Sequence, residues 1–252
     1  RDKSPLYTRN FTATGSQSPM SLILNIDTAG ETAMVCLSKD GEVLQTAVSD
    51  KQNDHAAWLH PAINDLLHQT GYSLKEVQAV AVSIGPGSYT GLRVGLASAK
   101  GFCYALGIPL VTVGTLEILA HAVQGEARDL ICPMIDARRM EVYAALFDKD
   151  LTEKTPPHSL VLDNNIPIVL SESRGTGIMP WLTSRQVLFC GNGSRKLQAI
   201  LTHPHAFFSA TSPSSLSISR LSQKKFAEKM FADLAYTEPL YVKEFYSPAR
   251  KN

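Results

Sequence analysis

From residue 22 onward the apolar residues fall first into short runs and two-residue alternation, then into the three-to-four spacing of helices. Leu22 to Asp27 reads as a buried strand, Thr32 to Ser38 as a second and Glu42 to Ser49 as a third. Lys39-Asp40-Gly41 joins the last two as a hairpin turn, because Asp-Gly tolerates the left-handed backbone such turns need. A helix is predicted over 54–70, with Leu59, Ala62, Ile63, Leu66 and Leu67 on one stripe and Gly71 as its stop. A strand over 77–84, a helix over 90–106, a strand over 109–113 and a helix over 115–123 follow. The order is βββαβαβα.

Three strands able to pair antiparallel, followed by alternating helices and strands, describe one half of the actin-like ATPase (ribonuclease H-like) fold. A second half starts in the same way, with strands over 130–136 and 141–147 around Asp136-Ala-Arg-Arg139. Beyond it the pattern decays. Residues 151–186 are proline-bearing and irregular, Val187 to Ser194 is a strand running into a second glycine turn, and 209–222 is rich in serine. A last helix is predicted over Lys224–Ala235, with Phe226, Met230, Phe231 and Leu234 on one side. The expectation is an α/β protein of two actin-like domains, 20–125 and 126–252, the second degenerate. Residues 1–19, polar and without periodicity, read as a leader or disordered tail.

The charge balance changes the picture little. Among 252 residues, 24 basic and 23 acidic side chains leave a net charge of +1, so nothing in the overall charge suggests a general electrostatic grip on nucleic acid. Any RNA would be held mostly by a partner. Cys36, Cys103, Cys132 and Cys190 form no C-x-x-C pair and read as reduced core residues of a cytoplasmic protein. No run of apolar residues is long enough to span a membrane.

Candidate chemistry concentrates in Ser83 to Lys100, where an apolar strand breaks into a glycine-dense turn and then a helix thinned by Gly95, Ala97 and Ala99. Gly85, Gly87 and Gly91 permit left-handed backbone or close approach, and a positive φ is expected at Gly87. Ser88, Thr90 and Arg93 complete the loop. A Walker A loop would need Gly-Lys where Gly91 is followed by Leu92, and the dinucleotide fingerprint would need glycine at Thr90. The serine position of Gly87-Ser-Tyr-Thr-Gly91 does not fit a nucleophile elbow either. Ligand contact at the helix start and a purely structural turn both stay open. Asp27 and Asp136 each end the first strand of a half, as a vestigial nucleotide site or as turn caps. Arg138 and Arg139 stand where a close phosphate approach would leave small residues. His55 and His60, five positions apart on one helix, lie about 140° apart around its axis and cannot share a metal. His55 reads as a helix-start or interface residue, His121 as a solitary histidine, and His203-Pro-His205 as a surface loop.

Several segments in order, Ile23-Leu-Asn-Ile-Asp-Thr28, Gly85 to Gly95, Pro109 to Leu116, Ile135 to Arg138 with Glu141 to Tyr143, Gly191-Asn-Gly193 and Glu238 to Val242, resemble the TsaB (YeaZ) family. The resemblance implies a non-catalytic scaffold that binds and activates a TsaD-like catalytic subunit in threonylcarbamoyladenosine modification of tRNA, at the adenosine next to the anticodon. It also implies a TsaE-like ATPase partner, tRNA engaged through the complex, and a homodimer when the chain is alone. No catalytic residue or metal would belong to this chain; ATP or ADP would sit at the partner interface and the metal in the partner. The His-x-x-x-His pair of the catalytic relative would fall at Thr115 and Leu119, neither a useful ligand. The helices over 54–70 and 90–106 would form a four-helix interface with the partner through Leu59, Ile63, Leu66, Gly91, Gly95 and Ala99. The alternative is a stand-alone glycoprotease-like or ATP-hydrolysing enzyme, which needs a site these residues do not assemble.

Overall fold

The computed structural model describes residues 21–50, 54–162 and 182–243; the predicted leader over 1–19 and residues 163–181 of the irregular stretch lie outside these. The elements are β1 (Leu22–Asp27), β2 (Ala33–Lys39), β3 (Glu42–Ser49), α1 (His55–Thr70), β4 (Ala79–Ser83), α2 (Tyr89–Leu106), β5 (Leu110–Val113) and α3 (Thr115–Ala122). They continue as β6 (Leu130–Asp136), β7 (Glu141–Asp148), β8 (Glu153–Val161), β9 (Val187–Cys190), α4 (Ser194–Gln198), β10 (Ala206–Phe208) and α5 (Ser215–Ala227).

Two five-stranded sheets result, ordered β3-β2-β1-β4-β5 and β8-β7-β6-β9-β10. In each, a central strand pairs antiparallel with the meander on one side and parallel with the strands on the other. This is the actin-like α/β arrangement, and the second sheet is complete. The sequence pattern marks only three of its strands. β8 escapes notice because it is mostly polar and carries Pro156-Pro157; as an edge strand it can spare the proline N–H groups. β10 has three residues, too few for any period. The degeneracy lies in the helices: α1 and α2 have 16 and 18 residues, whereas α4 has five.

Strand alternation sorts the core. Leu22, Leu24 and Ile26 of β1 meet Leu59, Leu66, Leu96 and Cys103 of α1 and α2, while Ile23 faces the opposite layer with Ile218 and Leu221 of α5. α3 wedges between the sheets, giving Ile118 to the first and Leu116, Leu119 and Ala120 to a cluster with Ile131, Phe147 and Leu188 of the second. The four cysteines are buried free thiols. Burial pushes the Cys36 thiol up to about 11 and those of Cys103 and Cys190 to about 12, so they remain protonated and unreactive at neutral pH.

The last helix corrects the prediction twice. It spans Ser215–Ala227, not 224–235, and most of it lies in the serine-rich stretch. The serines are small enough to bring the helix close to the sheet, and they bond there. Ser222 Oγ donates to Asn25 Oδ1 (2.6 Å), and Ser219 Oγ meets Cys36 Sγ (3.4 Å). Lys229, with φ of 57°, breaks away from helical geometry, and Ala232 N then donates to Leu110 O (2.8 Å), covering the β5 edge. This helix packs on the first sheet, so residues 126–252 do not stay together as a separate layer. Among the described residues no helix is long and apolar enough to cross a membrane.

Candidate functional site

The glycine turn between β4 and α2 is closed by the chain itself. Ser88 is the N-cap of α2, its side chain accepting from Gly91 N (3.3 Å). Ser88 N donates to Ala29 O (2.7 Å), and Thr28 Oγ1 donates to Gly91 O (2.7 Å). Thr115 N donates to Gly85 O (2.9 Å) and Leu240 N to Ile84 O (2.7 Å). Gly85 has φ of 113°, but Gly87 is not in the left-handed region, contrary to expectation. Its requirement is steric: a Cβ there would overlap the Ala29 carbonyl, one at Gly91 the Thr28 carbonyl and one at Gly95 the Thr28 hydroxyl. The loop therefore serves close packing of α2 on the end of β1. At the start of the helix the Ser88, Gly91 and Leu92 N–H groups are engaged within the chain.

Arg93 lies beyond the turn with its guanidinium 4.0 Å over the Tyr89 ring, and its Nε donates to Tyr241 Oη (2.9 Å). Two residues later Lys243 Nζ pairs with Glu141 of β7. The segment 240–243 thus straps the glycine turn to the second sheet. Thr90 is exposed at the start of α2.

The six expected interface residues do not form a surface. Leu59, Ile63, Leu66, Gly91, Gly95 and Ala99 are buried inside this chain, because the stripe they occupy is the one that covers the first sheet. The opposite faces are open. α2 exposes Arg93, Ala97, Gly101 and Tyr104; α1 exposes Ala57, His60 and Pro61. The two helices are joined by His60 Nε2 and Ser98 Oγ (3.2 Å) and by the His60 and Phe102 rings (5.5 Å). Among the described residues a Cβ at Gly101 would meet nothing within 4 Å, unlike one at Gly91 or Gly95. The spacing of 93, 97, 101 and 104 was readable as a second helical stripe, and it escaped notice because its residues are small or polar.

A cleft of about 490 Å³ opens between the sheets, lined by Asp27, Thr32, Thr115, Leu119, Asn192 and Arg195 among others. Asp27 accepts from Ser83 Oγ (2.6 Å) and Ala29 N (3.1 Å), and burial pushes its carboxyl above the usual range. Asp136 is not among the lining residues. It is largely exposed, accepts from Lys196 Nζ (2.5 Å) and Arg138 N (2.6 Å), and its backbone N donates to Asn192 Oδ1 (2.9 Å). Partial burial pushes this carboxyl up, but the Lys196 and Arg138 hydrogen bonds outweigh it and hold it below the usual range. The two carboxylates are thus separated, one engaged under the glycine turn and one in a surface ion pair. Arg138 and Arg139, with φ of 69° and 50°, close the second turn in the left-handed region, at a cost on the order of 1–3 kcal/mol each.

The residues do not fit a metal. Thr115 offers a buried, unpartnered hydroxyl and Leu119 only hydrocarbon, and among the described residues no three His, Cys, Asp or Glu side chains converge. His55 is buried at the start of α1 rather than at a surface, with neither ring nitrogen bonded. Burial and then Arg220 push the pKa of His121 down. His203 and His205 pack edge to face (5.5 Å) in their loop, where His205 Nδ1 lies 2.7 Å from Leu182 O.

These features define a class: a two-sheet actin-like protein whose first strand-end turn is packed from within and in whose cleft, among the described residues, no three metal-ligating side chains converge. A family model described as "TsaD: tRNA N6-adenosine threonylcarbamoyltransferase" matches residues 42–242. The chain is 34% identical over 143 residues to the "tRNA threonylcarbamoyladenosine biosynthesis protein TsaB" of Bacillus subtilis, covering 56% of this chain and 62% of that protein. The TsaB protein of Escherichia coli is 36% identical over 129 residues, covering 51% and 55%. The chain thus aligns with less than two thirds of these relatives' length. YeaZ from Pseudomonas aeruginosa superposes with a TM-score of 0.70 at 25% identity, covering 88% of this chain and all of that one. A second Pseudomonas aeruginosa structure, of a protein similar to "peptidase YEAZ", gives 0.74 at 26% identity, covering 89% and 100%. The chain belongs to the family that this model describes, and within it to the TsaB/YeaZ group.

Proposed function

We propose that this chain is the scaffold subunit that binds and activates a TsaD-like catalytic subunit in threonylcarbamoyladenosine formation on tRNA. Family membership supports the pathway, and the cleft chemistry supports a non-catalytic role. The observation that carries the partner role is Gly101. A glycine inside a helix costs about 1 kcal/mol relative to alanine, and among the described residues nothing stands where its Cβ would be. With Ala97 beside it, exposed Tyr104 at 74% and Pro61 on α1, it forms a low-relief two-helix face able to admit a partner's helices closely. The same face serves self-pairing when the partner is absent. In this reading ATP or ADP and a TsaE-like ATPase act at the complex, and the metal is the partner's.

The test is co-purification with a cognate TsaD-like subunit and reconstituted tRNA modification. Ala97→Glu and Gly101→Glu are expected to lower association at least tenfold with the melting temperature nearly unchanged, because an unpaired carboxylate would be buried at the interface. Full association by both variants would remove this face from the complex.

A further inference from the structure

The near-zero net charge of the chain conceals a local excess. Arg138 and Arg139 form the β6–β7 turn, Arg195 and Lys196 lie in α4 beside it, and Lys243 arrives on the strap. Lys196 Nζ holds Asp136 Oδ1 (2.5 Å) and the Arg139 carbonyl, while Lys243 and Ser159 Oγ hold Glu141. Five cations against two carboxylates leave three positive charges. Among the described residues no carboxylate lies within ion-pair distance of Arg138, Arg139 or Arg195, and all three are exposed.

The backbone presents these charges deliberately outward. Arg138 and Arg139 occupy the left-handed region, where asparagine and glycine sit more easily. The conformation is pinned by Arg138 N to Asp136 Oδ1 (2.6 Å), Ala137 N to Glu141 O (3.1 Å) and Glu141 N to Arg138 O (3.2 Å). Asn-Gly would make the turn with less strain; two arginines make it with two guanidinium forks, whose geometry matches phosphate oxygens. Arg195 borders the cleft but Arg138 and Arg139 do not, so a nucleotide bound there is not the counterpart of the two turn arginines.

We propose that the β6–β7 turn, with Arg195, is a docking surface for the phosphodiester backbone of an RNA. The surface positions the RNA without reading its sequence, since phosphate contacts carry none. That the RNA is tRNA rests on the function proposed above.

The probe is a fluorescent, unmodified tRNA transcript, titrated by anisotropy with the chain alone and with its complex with a TsaD-like subunit at two salt concentrations. The double variant Arg138→Asn, Arg139→Gly keeps a left-handed turn and is expected to melt at the same temperature or higher. Its RNA affinity is expected to fall about tenfold at low salt, and the slope of log K against log salt to become shallower by about one to two. Arg138→Lys with Arg139→Lys should recover part of the affinity. Unchanged affinity and slope in the Asn-Gly variant overturn the proposal, as does absence of RNA binding by both wild-type samples. A loss confined to association with the protein partner, or to labelled ATP with RNA unaffected, overturns it as well. Failure of the wild-type chain to associate with the TsaD-like subunit counts against the scaffold reading alone, and the titration of the chain by itself still decides the turn.

Discussion

In the first half, β1 ends in Asp27 and the chain lays Gly87, Gly91 and Gly95 onto Thr28 and Ala29; in the second, β6 ends in Asp136 and Gly191 and Gly193 lie on Met134 and Ile135. One packing device, close backbone approach at the end of a central strand, appears twice. Its consequences differ because the following helix differs. The long α2 buries the first junction and leaves Asp27 half-buried at the cleft wall, bonded to Ser83 and Ala29, whereas the short α4 covers little and reaches Asp136 only with Lys196. The first junction is held by shape and the second by charge.

The largest test of that contrast is steric. Gly95→Val is expected to destabilise by about 3 kcal/mol or more, since Thr28 is fully buried and Val82 and Ile26 block any retreat. Gly193→Val, whose Cβ would lie 2.8 Å from the Ile135 carbonyl carbon and 3.0 Å from Val142 Cγ1, should cost less, about 1–3 kcal/mol, because α4 can shift. Chemical denaturation of both variants measures this, and equal losses would mean that the second junction is as rigid as the first.

Ser88→Ala should cost about 1 kcal/mol through the lost helix cap, and exposed Thr90→Ala under about 0.5 kcal/mol. Both should leave reconstituted tRNA modification within about threefold, because the loop acts by geometry. A loss of activity with folding and partner binding intact would give the hydroxyls a chemical role.

The smallest effects separate the two carboxylates by sign. The raised pKa of Asp27 gives a contribution present below the ordinary carboxylate value, near 3.9, and lost as pH rises through the raised value. The lowered pKa of Asp136 gives one present above about 3.9 and lost as pH falls through the lowered value. Asp27→Asn is therefore expected to be neutral or stabilising near pH 7, and Asp136→Asn to destabilise by less than about 1 kcal/mol. Thermal melts between pH 3 and 7 would show opposite changes of slope, and the same sign for both would refute the assignment.

Most of the first half was legible because α1 and α2 bury one face and carry a period of 3.6, while β1 and β4, buried on both faces, stand out as short apolar runs. The same rule misled the assignment of the interface: Leu59, Ile63 and Leu66 with Gly91, Gly95 and Ala99 form the most regular stripe on α1 and α2, and regularity of that kind marks a protein's own core. Surface stripes built from Ala97 and Gly101 carry little hydrophobic signal. α5 was misplaced for a related reason, since Ser217, Ser219 and Ser222 are buried through their size and their bonds, which hydropathy does not register. The closed state of the glycine turn depends on Thr28 and Ala29, about sixty residues earlier, and no local pattern in the loop reports them.

The placement of α5 also bears on how the chain is made. Asn25 and its partner Ser222 are 197 positions apart, so one face of the first sheet, with Ile23, Cys36, Ala79 and Ala81, has only Ile118 of α3 as cover until the ribosome has delivered nearly the whole described chain. At 5–20 residues per second the wait is roughly 10–40 s. During that time the first sheet is a nascent intermediate with one flank partly open, and a message truncated before the codon for Ser215 would release a sheet that its last helix never covers.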